Sequence, residues 1–134
     1  MSSDPRRLVL RALGRLGRSD SSVAQSTLRS VLGGPDARSL ASRDKALVTE
    51  CFYGVLRWRI RLDAVIKQIA DKGIPSDPEL ANLLRLGLFQ LLMLDRVPQR
   101  AAVHSTVSIA RQIRGEKVAR FVNWFLRSKP RIFV

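Results

Sequence analysis

The chain has 134 residues, 46% of them apolar, so one compact domain spanning 1–134 with a real core is expected. A formal charge of +13, from 24 basic and 11 acidic residues, points to a polyanionic partner: RNA, DNA or an anionic membrane. One cysteine, Cys51, excludes an internal disulfide and suits a reducing cytoplasm. The longest apolar run, about Leu86 to Leu94, is too short to span a bilayer.

In chain order, Asp4-Pro5 reads as a helix start, with the acid as cap and proline in the first turn. The first helix then runs to about Leu16 and stops at Gly17. A second helix covers about Ser22 to Leu32 and ends at Gly33-Gly34-Pro35, followed by a loop over residues 33–41. A third begins after Ser42 and continues to Arg57. A fourth covers about Ile60 to Asp71 and stops at Lys72-Gly73. GIPSD is a linker, and Asp77-Pro78-Glu79 repeats the cap-then-proline pattern. The helix after it, ANLLRLGLFQLLML, is apolar around most of its circumference and belongs in the middle of a bundle. Val97-Pro98 opens the next helix, Gly115 breaks it, and the last helix runs from Glu116 to about Ser128 before Pro130. No hairpin dipeptide or strand alternation occurs. The expected fold class is all-α: a compact bundle of six to seven short helices without a sheet.

Catalytic constellations are missing. The only histidine, His104, lies beside Ser105 and one turn before Ser108, but no acid occurs between Asp95 and Glu116 to orient an imidazole. On a helical wheel His104, Ser105, Ser108, Arg111 and Gln112 share the outer face. Ala102, Val103, Thr106, Val107, Ile109, Ala110 and Ile113 share the inner one. A lone His and a lone Cys cannot make a zinc site, and there is no phosphate-binding loop motif. No catalytic residue, metal or cofactor is expected. Asp63 and Asp71 read as surface ion-pair partners.

The charge is unevenly placed. Residues 1–18 carry +4 and residues 99–134 carry +7, while 73–98 carry −1. Arg7, Arg11, Arg15 and Arg18 fall within about 80° of the first helix's wheel, opposite Val9, Ala12, Leu13 and Leu16. Such a row suits phosphate groups, and it carries no acid after Asp4 on its own helix. On the last helix Val118, Phe121, Val122 and Phe125 form a core stripe. Lys117, Arg120 and Arg127 lie to another side, with Trp124 among them. Trp124 either stacks an unpaired base or packs against another helix or chain. Asn123 either bonds a base or caps a neighbouring loop. Arg57, Arg59 and Arg61 splay around a helix junction, and Arg85 inside the apolar helix pairs with an acid or a helix end.

The run DPELANLLRLGLFQLLMLDRVPQRAAVHSTVSIARQIRGEKVARFVNWFLRSK, with DPRRLVLRALGRL and RDKALVTECFYGVLRWRIRLDAVI before it, resembles the NusB-like family over nearly the whole chain. That family includes a transcription antitermination factor and the N-terminal RNA-binding domain of an rRNA cytosine-C5 methyltransferase. The second of these is the nearer likeness. The resemblance implies RNA, either rRNA or a leader transcript, as partner, with a small ribosomal protein as a further candidate. It also carries over Arg6, Arg7, Arg11, Arg15 and the stretch Glu116 to Arg120 as the RNA surface. A second copy of the chain is another candidate partner, and no membrane is expected, because the arginine stripe lacks flanking aromatics on its helix. The candidate binding residues are those carried over together with the wheel residues Arg18, Asn123, Trp124 and Arg127. The methyltransferase's catalytic portion has no counterpart in these residues, so a non-catalytic domain is expected. Where the family shows Asn-Glu-Ala this chain has His104-Ser105-Thr106, and where glycine follows Phe-Val-Asn it has Trp124. The rival reading is a protein-interaction module that docks through Trp124 and the apolar tail RIFV.

Overall fold

A computed structural model describes residues 4–17 and 21–128. Among them are seven α-helices and no strand: α1 (Arg6–Leu16), α2 (Ala24–Leu32), α3 (Ser42–Arg57), α4 (Arg59–Ile69), α5 (Pro78–Met93), α6 (Gln99–Arg114) and α7 (Glu116–Arg127). The backbone divides into two compact units, Met1–Gly54 and Val55–Val134.

In the first unit α1 packs on α2. Leu8, Val9, Ala12, Leu13 and Leu16 are buried on α1, and Ala24, Leu28 and Val31 on α2, at helical spacing. The Asp4 carboxylate accepts the backbone N–H of Arg6 at 3.0 Å, so it satisfies a donor of the first turn as the Asp-Pro pattern requires. The helix closes at Gly17, whose φ of 52° lies in the region that favours glycine. Two short 3₁₀ turns depart from the sequence reading: Ser21–Val23 precedes α2, and Pro35–Ala37 interrupts what read as plain loop. Both start at residues that favour tight local turns, serine in one and a Gly-Pro step in the other.

In the second unit α5 is the central element, touching α4, α6 and α7. Leu83, Leu84, Leu86 and Leu88 are wholly buried, which accounts for an apolar pattern that circles the helix. Gly87 lets its neighbours come close. A Cβ built there would lie 2.9 Å from Leu126 Cδ2 on α7 and 3.2 Å from Thr106 Cγ2 on α6. The Asp77 carboxylate caps α5 by accepting from the N–H groups of Glu79 (3.0 Å) and Leu80 (3.4 Å). The α4 helix ends at Ile69, two residues before Asp71. Ala70 is extended and buried, and a turn from Gly73 N–H to the Ala70 carbonyl at 2.9 Å uses the positive φ of Gly73. The glycine stops the chain's turn, while the helix itself stops at the buried alanine.

Asp63 is the main correction within this unit. It is not a surface partner: only 19% of its side chain is exposed, and it accepts from Arg85 Nε at 2.6 Å and Nη2 at 3.3 Å. The Arg85 side chain, 6% exposed, completes its bonding with Asn82 Oδ1 at 2.9 Å. Burying a guanidinium on α5 requires a carboxylate to meet it, and α4 supplies one.

Candidate nucleic-acid interface

On α1 the arginines differ in their surroundings. Arg6 folds back onto Asp4, 3.0 Å from Nη1 to Oδ1, and its side chain is only 12% exposed. Arg7 is exposed. Arg11 meets Asp36 from the 3₁₀ turn at 2.6 Å, an acid that a wheel of α1 alone could not show. Arg15 is exposed and forms no ion pair with a described residue. Arg7, Arg11, Asp4 and Asp36 together line a small pocket of about 260 Å³. Arg18 lies outside the described residues, as does the RIFV tail.

On α7, Lys117 and Arg120 are exposed and have no ion pair with a described residue. Asn123 is half-buried. Its Oδ1 accepts from Arg127 Nε at 3.1 Å, one turn on, rather than capping a loop. Trp124 is 52% exposed. Its ring lies 6.1 Å from Phe121, tilted by 34°, and the two aromatics line an apolar groove with Ile74, Pro75 and Leu80. Trp124 therefore edges a surface built mainly from apolar side chains and the segment after α4, while Asn123 and Arg127 line a second groove.

That second groove runs between α5, α6 and α7, with Arg100, His104, Arg111, Asn123 and Arg127 among its lining residues. Arg100, His104 and Arg111 were not singled out as binding residues by sequence reasoning. Yet they fall within about 40° on the wheel of α6, a signal present in the spacing. Among the described residues no carboxylate is paired with His104 or Ser108. Thr106 is buried and donates its hydroxyl to the Ala102 carbonyl at 2.7 Å.

A third cluster sits at the start of α4. The guanidinium carbons of Arg57 and Arg61 lie 5.8 and 5.7 Å from the Trp58 ring centroid, and Arg59 approaches Asp63 at 4.0 Å. These arginines do not simply splay; two of them share one indole, a cation–π arrangement. No group of three or more His, Cys, Asp or Glu among the described residues could hold a metal ion. No helix among them is long and apolar enough to cross a membrane. Cys51 is buried and forms no disulfide.

Comparison with known proteins decides the relationship. A profile described as the NusB family matches residues 3–129. The chain belongs to the NusB family. Among similar proteins, a probable ribosomal RNA small subunit methyltransferase B of Bacillus subtilis is 38% identical over 127 residues, covering 94% of this chain and 27% of that protein. A protein of the same description from Synechocystis is 38% identical over 93 residues, covering 69% of this chain and 21% of its own length. A putative methyltransferase of Mycobacterium tuberculosis is 45% identical over 92 residues, 68% of this chain and 20% of that protein. This NusB-family chain thus spans about a fifth to a quarter of the curated relatives that it matches.

Proposed function

We propose that the chain is a non-catalytic RNA-binding domain that holds ribosomal RNA through phosphate contacts, in a cytoplasmic setting. The observation that carries this reading is the set of exposed cations with no described carboxylate partner: Arg15 on α1, and Lys117 and Arg120 on α7. The row on α1 is completed by Arg7 and Arg11, with Arg18 assigned to it by sequence; Arg6 is carried over from the family resemblance, and its guanidinium is held by Asp4. The Arg11–Asp36 pair does not remove Arg11, because both partners are 43% or more exposed and such pairs are worth only about 0–1 kcal/mol. A phosphate can displace the acid. Asn123, Trp124 and Arg127 extend the α7 surface toward bases. Ribosomal RNA is preferred over a leader transcript because the relatives named above are described as acting on small-subunit ribosomal RNA. A small ribosomal protein would be an accessory partner of this reading.

Binding of a small-subunit rRNA fragment by fluorescence anisotropy, across a salt series, tests the proposal. Contact with about five phosphates gives a log–log slope of roughly −3.5 to −4.5. Arg7→Glu, Arg11→Glu and Arg15→Glu combined should abolish binding while helical circular dichroism stays intact. Unchanged affinity in the triple variant would remove the reading.

The apolar groove beside Trp124 favours a second reading, a protein-docking module. Salt-insensitive, weak RNA binding together with a concentration-dependent dimer in sedimentation would support it over the first. A homodimer belongs to this second reading only.

A further inference from the structure

We infer that the groove between α5, α6 and α7 seats one or two nucleotides of single-stranded RNA, with arginines on the phosphates and the Asn123 amide donating to the base. The inference rests on the RNA reading above, but it assigns new residues, Arg100, His104 and Arg111, and a chemical polarity to Asn123.

The groove is open, with a volume of about 740 Å³, and no carboxylate lines it. Its floor is aliphatic: Leu126 and Val107 are buried, and Leu91 and Val103 are half-buried. Its rim is cationic. Arg100 and His104 are exposed and form no ion pair with a described residue. Arg111 contacts Glu116 through Nε at 2.9 and 3.2 Å, but the two side chains are 51% and 56% exposed, so a phosphate competes readily with that carboxylate. From Arg100 to Arg111 is about 16 Å along the helix, room for more than one phosphate. An apolar floor beneath a guanidinium rim suits a nucleotide, whose flat base prefers dry contact and whose phosphate prefers a fork of donors.

Asn123 fixes the polarity. A guanidinium has no acceptor, so the atom facing Arg127 Nε at 3.1 Å must be the amide oxygen. The Nδ2 group is then left to meet a ligand, as a donor only. It suits bases that present a carbonyl at their pairing edge, such as uracil, and it suits adenine less, whose edge sets an amino group beside its ring nitrogen.

The test uses the 134-residue chain with fluorescent decauridylate and decaadenylate at several salt concentrations. Asn123→Asp keeps an oxygen toward Arg127 and removes the donor. It is expected to lower the U-over-A affinity ratio by about fivefold, the worth of one hydrogen bond. A ratio is blind to any uniform repulsion that the new charge brings. Arg100→Ala with His104→Ala should reduce the salt slope by about 0.7, one phosphate contact on a single strand. Amide shifts on adding hexauridylate should include the Asn123 side chain and Val103 to Val107. A wild-type chain that binds RNA with the triple α1 variant inactive, but with slope, ratio and these shifts unchanged in the groove variants, overturns this inference and leaves the RNA reading standing. No RNA binding by the wild type overturns both. A glutamate decapeptide that displaces decauridylate at equal concentration also overturns the groove assignment, since it would mark a general site for acidic chains.

Discussion

The guanidinium of Arg114 closes on the carboxylate of Asp77, Nε to Oδ2 at 2.7 Å and Nη2 to Oδ1 at 3.2 Å, joining the last turn of α6 to the cap of α5. Its Nη2 also reaches Glu79 at 2.9 Å. The side-chain hydrogen bond from Arg114 holds the Asp77 carboxyl below the ordinary aspartate value of 3.8. The N–H groups of Leu80 and Glu79 add to this and burial opposes it. A carboxyl with a lowered folded pKa contributes stability above the unfolded value and loses it as pH falls through the folded one. Asp77→Asn, which keeps a capping side chain, should therefore be less stable than wild type at pH 7. That gap should begin to close as pH falls below 3.8 and be lost once it passes the lowered folded pKa. Asp77→Ala should lose about 1 kcal/mol more through the cap. Urea melts at pH 7, 4 and 2.5 measure this. A gap that persists unchanged at the lowest pH would refute the assignment.

The two halves of the Arg85–Asp63 pair should respond unequally. Asp63→Ala strands a guanidinium that is 6% exposed, and breaking such a pair costs about 3–5 kcal/mol. Arg85→Met leaves Asp63 19% exposed and within 4.0 Å of Arg59, so the loss should be smaller by at least about 1 kcal/mol. Equal losses in urea unfolding would show that the pair's geometry contributes little.

Gly87→Val pushes three carbons into the space where even one would meet Leu126 and Thr106. Overpacking of this kind costs about 1–3 kcal/mol. A fall in Tm with retained helix content is expected. A neutral result would mean that Leu126 can swing aside.

Trp124→Ala should leave the thermal melt near wild type, because the ring is 52% exposed. If the indole stacks a base, RNA affinity should drop by about 1–3 kcal/mol. An unchanged affinity assigns the ring to protein docking instead, and sedimentation of the same variant would then lose the dimer.

Much of the fold was legible because its signals are local. Asp77-Pro78, Gly17 and Gly115 each mark a helix end by their own backbone chemistry, and α5 announced its burial by apolar residues all round. The α1 row was visible for the same reason. What could not be read were contacts between elements. Asp36 reaches Arg11 from 25 residues away. Asp63 and Arg85 are 22 apart. Neither distance leaves a periodic trace in the chain. The α6 cations were in plain sight at spacings of four and seven. They read as an outer helix face, because no local signal shows the α5 and α7 side chains that make that face the wall of a groove. Trp124 was read against cations on its own helix, whereas its apolar groove is set by Ile74 and Pro75 from a linker.

Gly115 alone joins α6 to α7, at a φ of 91° that favours glycine. A hinge of one residue has no slack. Adding a single amino acid there, taken up as helix, would turn the whole of α7 by about 100° and carry it about 1.5 Å along its axis. Asn123 and Arg127 would then swing away from Arg100 and His104. Diversification of this wall is thus confined to exchanging side chains in place, and lengthening the connection would erase the groove instead of reshaping it.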